Sequence, residues 1–409
     1  EIADSWNPEF SGVASWKNDA GTFGVALAGV YSEQDNRIDE FTIGAGHVKR
    51  SAGDSYYNLA GVSRGRIGAG VQNFSGVSMP SNLSPFFFER NLKRWAVNGS
   101  VQMRPSDTLT VTIDTLYSSA RFREQQTGLA YDFAGGILAE QVVQGGSVVN
   151  GVQTGGEAVY QRYTGGFVDQ IIQYDDRNVT TDQFGINIDW QPTDTLRVRL
   201  DGSLSGARRR GKENNLFTTI RRKGVDYSYD RRSGSPIYDY SFSSPNYANA
   251  ATNPNGLTAH YYIWGGGSDI DDQIEEYKAD VEWKPGNGAL TLYAGAFKQS
   301  RIKTITAAET PFGQQCTYCG SDRALPASLF SPTDRYFFSG GGNNILRDWI
   351  SYSPQALVRL IDQYAAQDGK VFDPGVISAT GSSRVNEKVW GGYLMAALET
   401  EIGGMPLAV

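Results

Sequence analysis

The sequence predicts an all-β protein, an antiparallel array of long hairpins, on three observations. Side chains alternate apolar and polar with period two over long stretches, the repeat of a strand whose two faces meet different surroundings. These stretches are paired around short turns rich in Pro, Asp, Asn and Gly, near residues 19, 106, 193 and 286 and at near-constant intervals. Every second connection is instead long and polar. Tight turns at one end and long loops at the other are the pattern of an antiparallel transmembrane β-barrel with long extracellular loops. Its strands turn an apolar face to lipid and a polar face to a lumen. A soluble sandwich has no reason to gather its long loops at one end.

The first hairpin runs from Phe10 to Tyr31, with Val13 and Trp16 before Asn18-Asp19-Ala20-Gly21 and Phe23, Val25, Leu27 and Tyr31 after it. The second runs from Trp95 to Tyr117. Val97, Val101 and Met103 lead into Pro105-Ser106-Asp107, and Leu109, Val111 and Ile113 lead away. In the third, Phe184 to Leu204, the apolar positions Phe184, Ile186, Ile188 and Trp190 alternate with Gly185, Asn187 and Asp189. Pro192 pre-sets φ and Asp194 bonds to its own backbone in the turn. Leu196, Val198 and Leu200 then alternate with Arg197, Arg199 and Asp201. Antiparallel pairing sets Asp189 against Arg197 or Arg199 on one face. The fourth, Tyr277 to Phe297, turns at Pro285-Gly286-Asn287-Gly288, and a last stretch, Val389 to Ile402, enters Gly403-Gly404-Met405-Pro406. Trp16, Trp190 and Trp283 stand beside the turns, where a membrane barrel carries its aromatic girdle. Cross-strand aromatic packing in a soluble sheet is the alternative.

The connections 33–94, 121–181, 208–275 and 304–386 read as irregular, and long connections of this kind are usually functional. Within the last, residues 354–367 read as a helix with Ser353 as N-cap and Pro354 in first position. Leu357, Leu360, Ile361 and Tyr364 form its apolar face. Cys316 and Cys319 read as a disulfide pinning a loop tip, since a metal site needs about four ligands. Arg208, Arg209, Arg210, Lys212, Arg221, Arg222, Lys223, Arg231 and Arg232 read either as a solvated basic loop or as a contact for anionic lipopolysaccharide or an acidic ligand. The stretch from Tyr238 to Ile274 is rich in Tyr and Asp. Tyr261, Tyr262, Trp264 and Asp271 are its candidate ligand contacts, aromatic faces for stacking and a carboxylate for edge hydrogen bonds.

The 409-residue chain carries a net charge of −7, which argues against nucleic acid as a partner. No apolar run reaches the roughly 18 residues of a membrane helix, and the mean hydropathy is −0.39. Barrel strands escape that test because they alternate. No residue arrangement has the spacing of a catalytic site, so no enzyme, cofactor or metal is expected. Glu1-Ile2-Ala3-Asp4 lacks the basic start and apolar run of a signal peptide, and a piece of a longer protein is expected.

Three stretches resemble TonB-dependent outer-membrane receptors, most closely the subclass of oligotrophic and plant-associated proteobacteria. They are Met103-Arg104-Pro105-Ser106-Asp107-Thr108-Leu109, then Trp190 to Leu196, then Asn386-Glu387-Lys388 through Tyr393-Leu394-Met395 to Gly403-Gly404-Met405-Pro406-Leu407. The resemblance implies that residues 1–409 form a partial barrel of about nine strands out of 22. The plug domain, the energy-coupling box and the C-terminal strands of the family have no counterpart here. The implied partners are outer-membrane lipid and lipopolysaccharide, the inner-membrane TonB energy-coupling complex acting through the missing plug, and a small-molecule or oligosaccharide ligand. The implied activity is uptake of a scarce nutrient, oligosaccharide before ferric siderophore. A passive porin-like channel and a secreted glycan-binding β protein remain open alternatives.

Overall fold

A computed structural model describes residues 7–44, 46–54, 66–131, 135–234, 237–286, 289–319, 323–333, 337–338, 345–402 and 405–408. Its frame is an antiparallel meander in which each long strand pairs with the next. The strands are β1 (Glu9–Lys17), β2 (Phe23–Thr42), β3 (Ser84–Ser106), β4 (Leu109–Ala130), β5 (Glu157–Thr193), β6 (Leu196–Arg210), β7 (Ser268–Trp283), β8 (Leu290–Glu309) and β9 (Ser383–Ile402). A short β10 (Met405–Ala408) lies on β9. The alternating stretches are thus strands, and the protein is all-β. Among the described residues β1 pairs only with β2 and β10 only with β9, so the meander is open.

The tight turns share one chemistry. Pro105 and Pro192 have no N–H for the ladder, and each falls where the register shifts, between Met103 and Ser106 and between Trp190 and Thr193. The hydroxyls of Ser106 and Thr108 lie 3.1 Å apart, and those of Thr193 and Thr195 repeat this at 3.2 Å. Each hairpin also bonds the next at the same point. Arg104 donates to Thr22 O and Gln191 to Thr108 O, both at 2.7 Å, and Lys284 donates to Thr195 O at 2.8 Å. The first turn differs: Asn18 Oδ1 accepts from Thr22 and Phe23 N–H, and Gly21 takes φ +64°. The turn residues Asn287, Gly288, Gly403 and Gly404 lie outside the described residues.

Successive hairpins are staggered in one direction. A row of paired residues leaves Trp16, beside the first turn. It passes Val25, Val101, Ile113, Ile186, Gly202, Tyr277 and Lys298, and reaches Trp390 in mid-β9. Stagger of constant sign is what tilts strands in a rolled sheet.

Among the described residues, every buried hydrophobic residue lies in 74–87, 129–172, 216–262 or 308–372, that is, in the connections and the strand ends next to them. Those segments are not the irregular loops expected from the sequence. Strands β2 to β5 run on past the tight-turn half, 215–230 forms a further strand against upper β5, and 239–243 and 257–264 pair in turn with 215–230. Together they make a cap with two cores. One joins Phe74, Leu83, Phe87, Tyr131, Tyr163, Tyr227, Tyr240 and Trp349, and the other joins Ile172, Ile220, Leu257, Tyr262, Tyr352 and the helix α1 (Pro354–Gln367). The helix forms as expected: Ser353 Oγ accepts from Ala356 N–H, and Leu357, Val358, Ile361 and Ala365 are buried. Phe41, Phe87, Leu129 and Ile172, under the cap, share their alternation phase with Tyr31, Trp95, Tyr117 and Phe184 lower on the same strands. The cap therefore packs on the face whose lower part is left bare.

Candidate functional site

The bare lower face is apolar across the whole meander. Trp16, Val25, Leu27, Trp95, Val97, Phe184, Ile186, Leu200, Tyr277, Val281 and Leu394 are all exposed there. Trp16 is 59% exposed, Trp190 46% and Trp283 48%, and all three fall in this phase beside the tight turns. Rings pair across strands at both ends of the band, Trp16 with Phe23 at 6.2 Å and Trp95 with Tyr117 at 5.1 Å. Above the band, still in the same phase, lies a belt of polar contacts. Lys93 meets Glu33 at 2.7 Å, Asn91 meets Asp35 at 2.6 Å, Arg121 meets Asp176 at 2.7 Å, Arg208 meets Asp182 at 3.2 Å and Arg210 meets Asp271 at 2.5 Å.

The opposite face carries a charged lattice, and the expected pairing at Asp189 is there. Arg197 Nε donates to Asp189 at 2.7 Å, and Arg199 lies across from it at 3.9 Å. Asn187 donates to Asp201 at 2.6 Å, while Asp280 takes Lys278 at 3.1 Å and the Tyr393 hydroxyl at 2.8 Å. A hollow of about 350 Å³ among Asp114, Asn187, Asp201, Ser203, Glu276 and Lys278 opens onto it.

Higher on this same face the lattice becomes denser and gains rings. Glu124 accepts from Arg90 Nε at 2.6 Å and Arg177 at 2.7 Å, and Arg177 also reaches Asp175. The Arg177 guanidinium lies 4.7 Å from the Phe122 ring. Arg221 forms a fork on Asp169, two bonds of 2.6 Å, and stacks 3.6 Å from Phe167. Forked guanidinium–carboxylate pairs hold both partners in one geometry. Sequence reading passed over Arg90, Glu124, Asp175, Arg177 and Asp169. The sequence offers little signal for them, because residues 121–130 and 169–177 do not alternate apolar with polar side chains.

The candidate ligand residues do not converge. Tyr262 is 0% exposed inside the second core, edge-on to Phe372 at 5.3 Å, and cannot touch a ligand in this structure. Tyr261 packs edge-on to Phe217 and donates to Gln315 Oε1. Trp264 pairs with Leu216 at the end of its strand, and its side chain lies outside the described residues. Asp271 belongs to the belt, bound to Arg210. The tyrosine-rich stretch is not an exposed set of stacking faces, since Tyr238, Tyr240 and Tyr262 are core. A segment that builds its own strands needs bulky side chains to cover them. The basic residues of 205–235 are not a loop either. Six of the nine lie on β6 and on 215–230, where Arg208, Arg210 and Arg221 each have a carboxylate partner, and Arg231 and Arg232 have theirs in the turn that follows.

Cys316 and Cys319 are disulfide-bonded, with Cα atoms 4.7 Å apart. The bond holds Tyr318 inward, where its hydroxyl donates to Asp368 at 2.7 Å beyond the end of α1. Arg323 also binds Asp368 and stacks 4.0 Å from the Tyr364 ring. The Tyr318 and Arg323 contacts hold the Asp368 carboxyl below the usual carboxylate range. Burial and the neighbouring Asp368 charge push the Tyr318 hydroxyl up to about 12.

Among the described residues no three His, Cys, Asp or Glu side chains converge as metal ligands, and no helix is long and apolar enough to cross a membrane. Comparison with family models, curated proteins and solved structures finds no match to this chain.

Proposed function

We propose that the chain is part of the wall of a TonB-dependent outer-membrane receptor that takes up a scarce nutrient. One observation carries the reading: a continuous bare apolar face across the meander, while the core residues among those described lie elsewhere. Contiguous exposed apolar patches on soluble monomers rarely exceed a few hundred Å², which disfavours a secreted soluble module. The extent of the band agrees with a membrane crossing. It runs from Trp95 to Met103 on β3 and from Leu109 to Tyr117 on β4, close to the ~9–11 residues a tilted strand needs to span hydrocarbon. Tryptophans at the turn end and a charged belt at the cap end then mark the two interfaces.

In this reading the charged lattice lines the lumen, and its upper part, around Arg90, Glu124, Arg177 and Arg221, meets the incoming ligand. Guanidinium forks, carboxylates and the rings of Phe122 and Phe167 suit a polyhydroxylated ligand, which hydrogen-bonds at its edges and stacks on its faces. Oligosaccharide is thus preferred to ferric siderophore. The lumen would be plugged and opened by an inner-membrane energy-coupling complex, which distinguishes the receptor from a passive channel.

The full-length protein, produced in a Gram-negative host, should partition into detergent on phase separation. Recovery in the aqueous phase would overturn the membrane reading. Uptake of an oligosaccharide that stops when the proton gradient is collapsed supports the receptor. Uptake that continues unchanged supports a passive pore.

A further inference from the structure

We propose that the apolar face of β7, β8 and β9 binds one phosphorylated glycolipid of the outer leaflet. Its acyl chains lie in a groove floored by Ala279, Ala294, Ala296 and Gly392, and its phosphates rest on Lys298, Lys388 and Arg384. The inference rests on the reading above that this face meets lipid, and it adds a defined site to it.

The groove is a local feature. On β3 to β5 the band is filled by Val101, Met103, Val111, Ile113, Ile186 and Ile188. On β7 to β9 the paired positions are small, with Ala279 against Ala296 and Ala296 against Gly392. Two adjoining hollows of about 560 and 670 Å³ result, walled by Trp283, Leu292 and Leu394.

The charge above the groove is also local. Each belt cation on β3, β4 and β6 has a carboxylate partner on the same face, as for Lys93, Arg121, Arg208 and Arg210. Lys298 follows Ala296 in the same phase and faces Trp390, Lys388 faces Ser300, and Arg384 faces Thr304. All three are exposed. Among the described residues none of them forms an ion pair, although Glu275 stands at the same height opposite Ser300. Like charges on neighbouring strands without a counter-ion repel one another, and an anionic head group removes that cost. Each cation near an anionic membrane surface adds about 1 kcal/mol of attraction.

The leaflet follows from position. Lys388 and Arg384 lie toward the end of β9 remote from the tight turns, and Lys298 lies in the middle of β8, above the groove as counted from the turn end. At the turn end Lys17 and Arg104 fall in the opposite phase, so among the described residues these two cations form no matching site on this face toward the inner leaflet. The lipid is therefore the phosphate-bearing glycolipid of the outer leaflet.

The test uses the full-length protein in lipid discs, with bound lipid counted by native mass spectrometry. The probes are diphosphorylated lipid A and its dephosphorylated form. The wild type should retain one lipid A and discriminate against the dephosphorylated form. K298Q/K388Q should bind lipid A about thirtyfold more weakly, from two lost charge contacts. A296W should weaken both probes by filling the groove, while K17Q/R104Q should behave as wild type. Equal retention by K298Q/K388Q and wild type, or equal binding of the two probes, overturns the inference while leaving the receptor reading intact. Failure of the wild type to enter the discs overturns the lipid-facing reading and this site with it.

Discussion

Arg222 shows how a single residue organises the cap. Its side chain is buried, and the guanidinium donates to the carbonyls of Asn253 and Asn255 while lying 5.0 Å from the Tyr247 ring. Burial lowers it to about 10, still charged at neutral pH. Arg222→Met would keep the volume and remove both charge-assisted bonds to these partly exposed carbonyls, costing about 1–3 kcal/mol in all. Hydrogen exchange should show the segment 247–257 opening first. Asp368 makes a pH prediction. Its carboxyl is held low by Tyr318 and Arg323, so the clamp is present above the unfolded value of about 3.9 and is lost as pH falls through the lower folded value. Protection of residues 312–319 and 364–370 from exchange should persist at pH 5 to 8 and disappear in strong acid. Asp368→Asn should remove the pH dependence, and a steep loss above pH 5 would contradict the assignment. The sequence marks Arg222 only as one member of a basic stretch and does not mark Asp368, because each acts through partners that are remote in the chain.

The hairpins were legible because each carries its own instructions. Prolines that cannot join a ladder, hydroxyl pairs beside Asp107 and Asp194, and period-two alternation all act within a few residues. The strand ends were less legible, because β2 to β5 continue into stretches where Gly, Tyr and Asn interrupt the alternation. Register also refines which positions lie deepest in the apolar band. On β6 the band spans Leu196 to Leu204, with Leu200 at its centre between Ile188 and Ala279. Leu200→Arg should impair assembly by about 2–4 kcal/mol, and Leu196→Arg, beside the Trp283 end, by about 0–1 kcal/mol. Urea titration of the protein refolded in lipid vesicles measures both, and equal costs would mean that this face does not cross a membrane.

At the scale of the whole molecule, wall and cap obey opposite rules. The tight-turn half of the meander, here the wall, buries no hydrophobic side chain among the described residues and keeps one apolar and one charged face. The cap is built like a soluble domain, with two cores and a capped helix. They share a sheet, since upper β5 pairs with both β4 and 215–230. If the wall needs lipid and the cap does not, removing detergent from the full-length protein should aggregate it while the disulfide and α1 stay protected from proteolysis. Loss of both regions together would mean that they fold as one unit.

Alternation, turn chemistry and the spacing of hairpins are local properties, and by themselves they determined the strands, their two faces, the helix and the Asp189–Arg197 pairing. The tertiary structure alone decided that Tyr238, Tyr240 and Tyr262 are core, that the basic stretch is paired strand, and that Lys298, Lys388 and Arg384 stand together above a groove. Composition reports how many rings and charges a segment holds, but burial and pairing depend on which distant strand lies beside it.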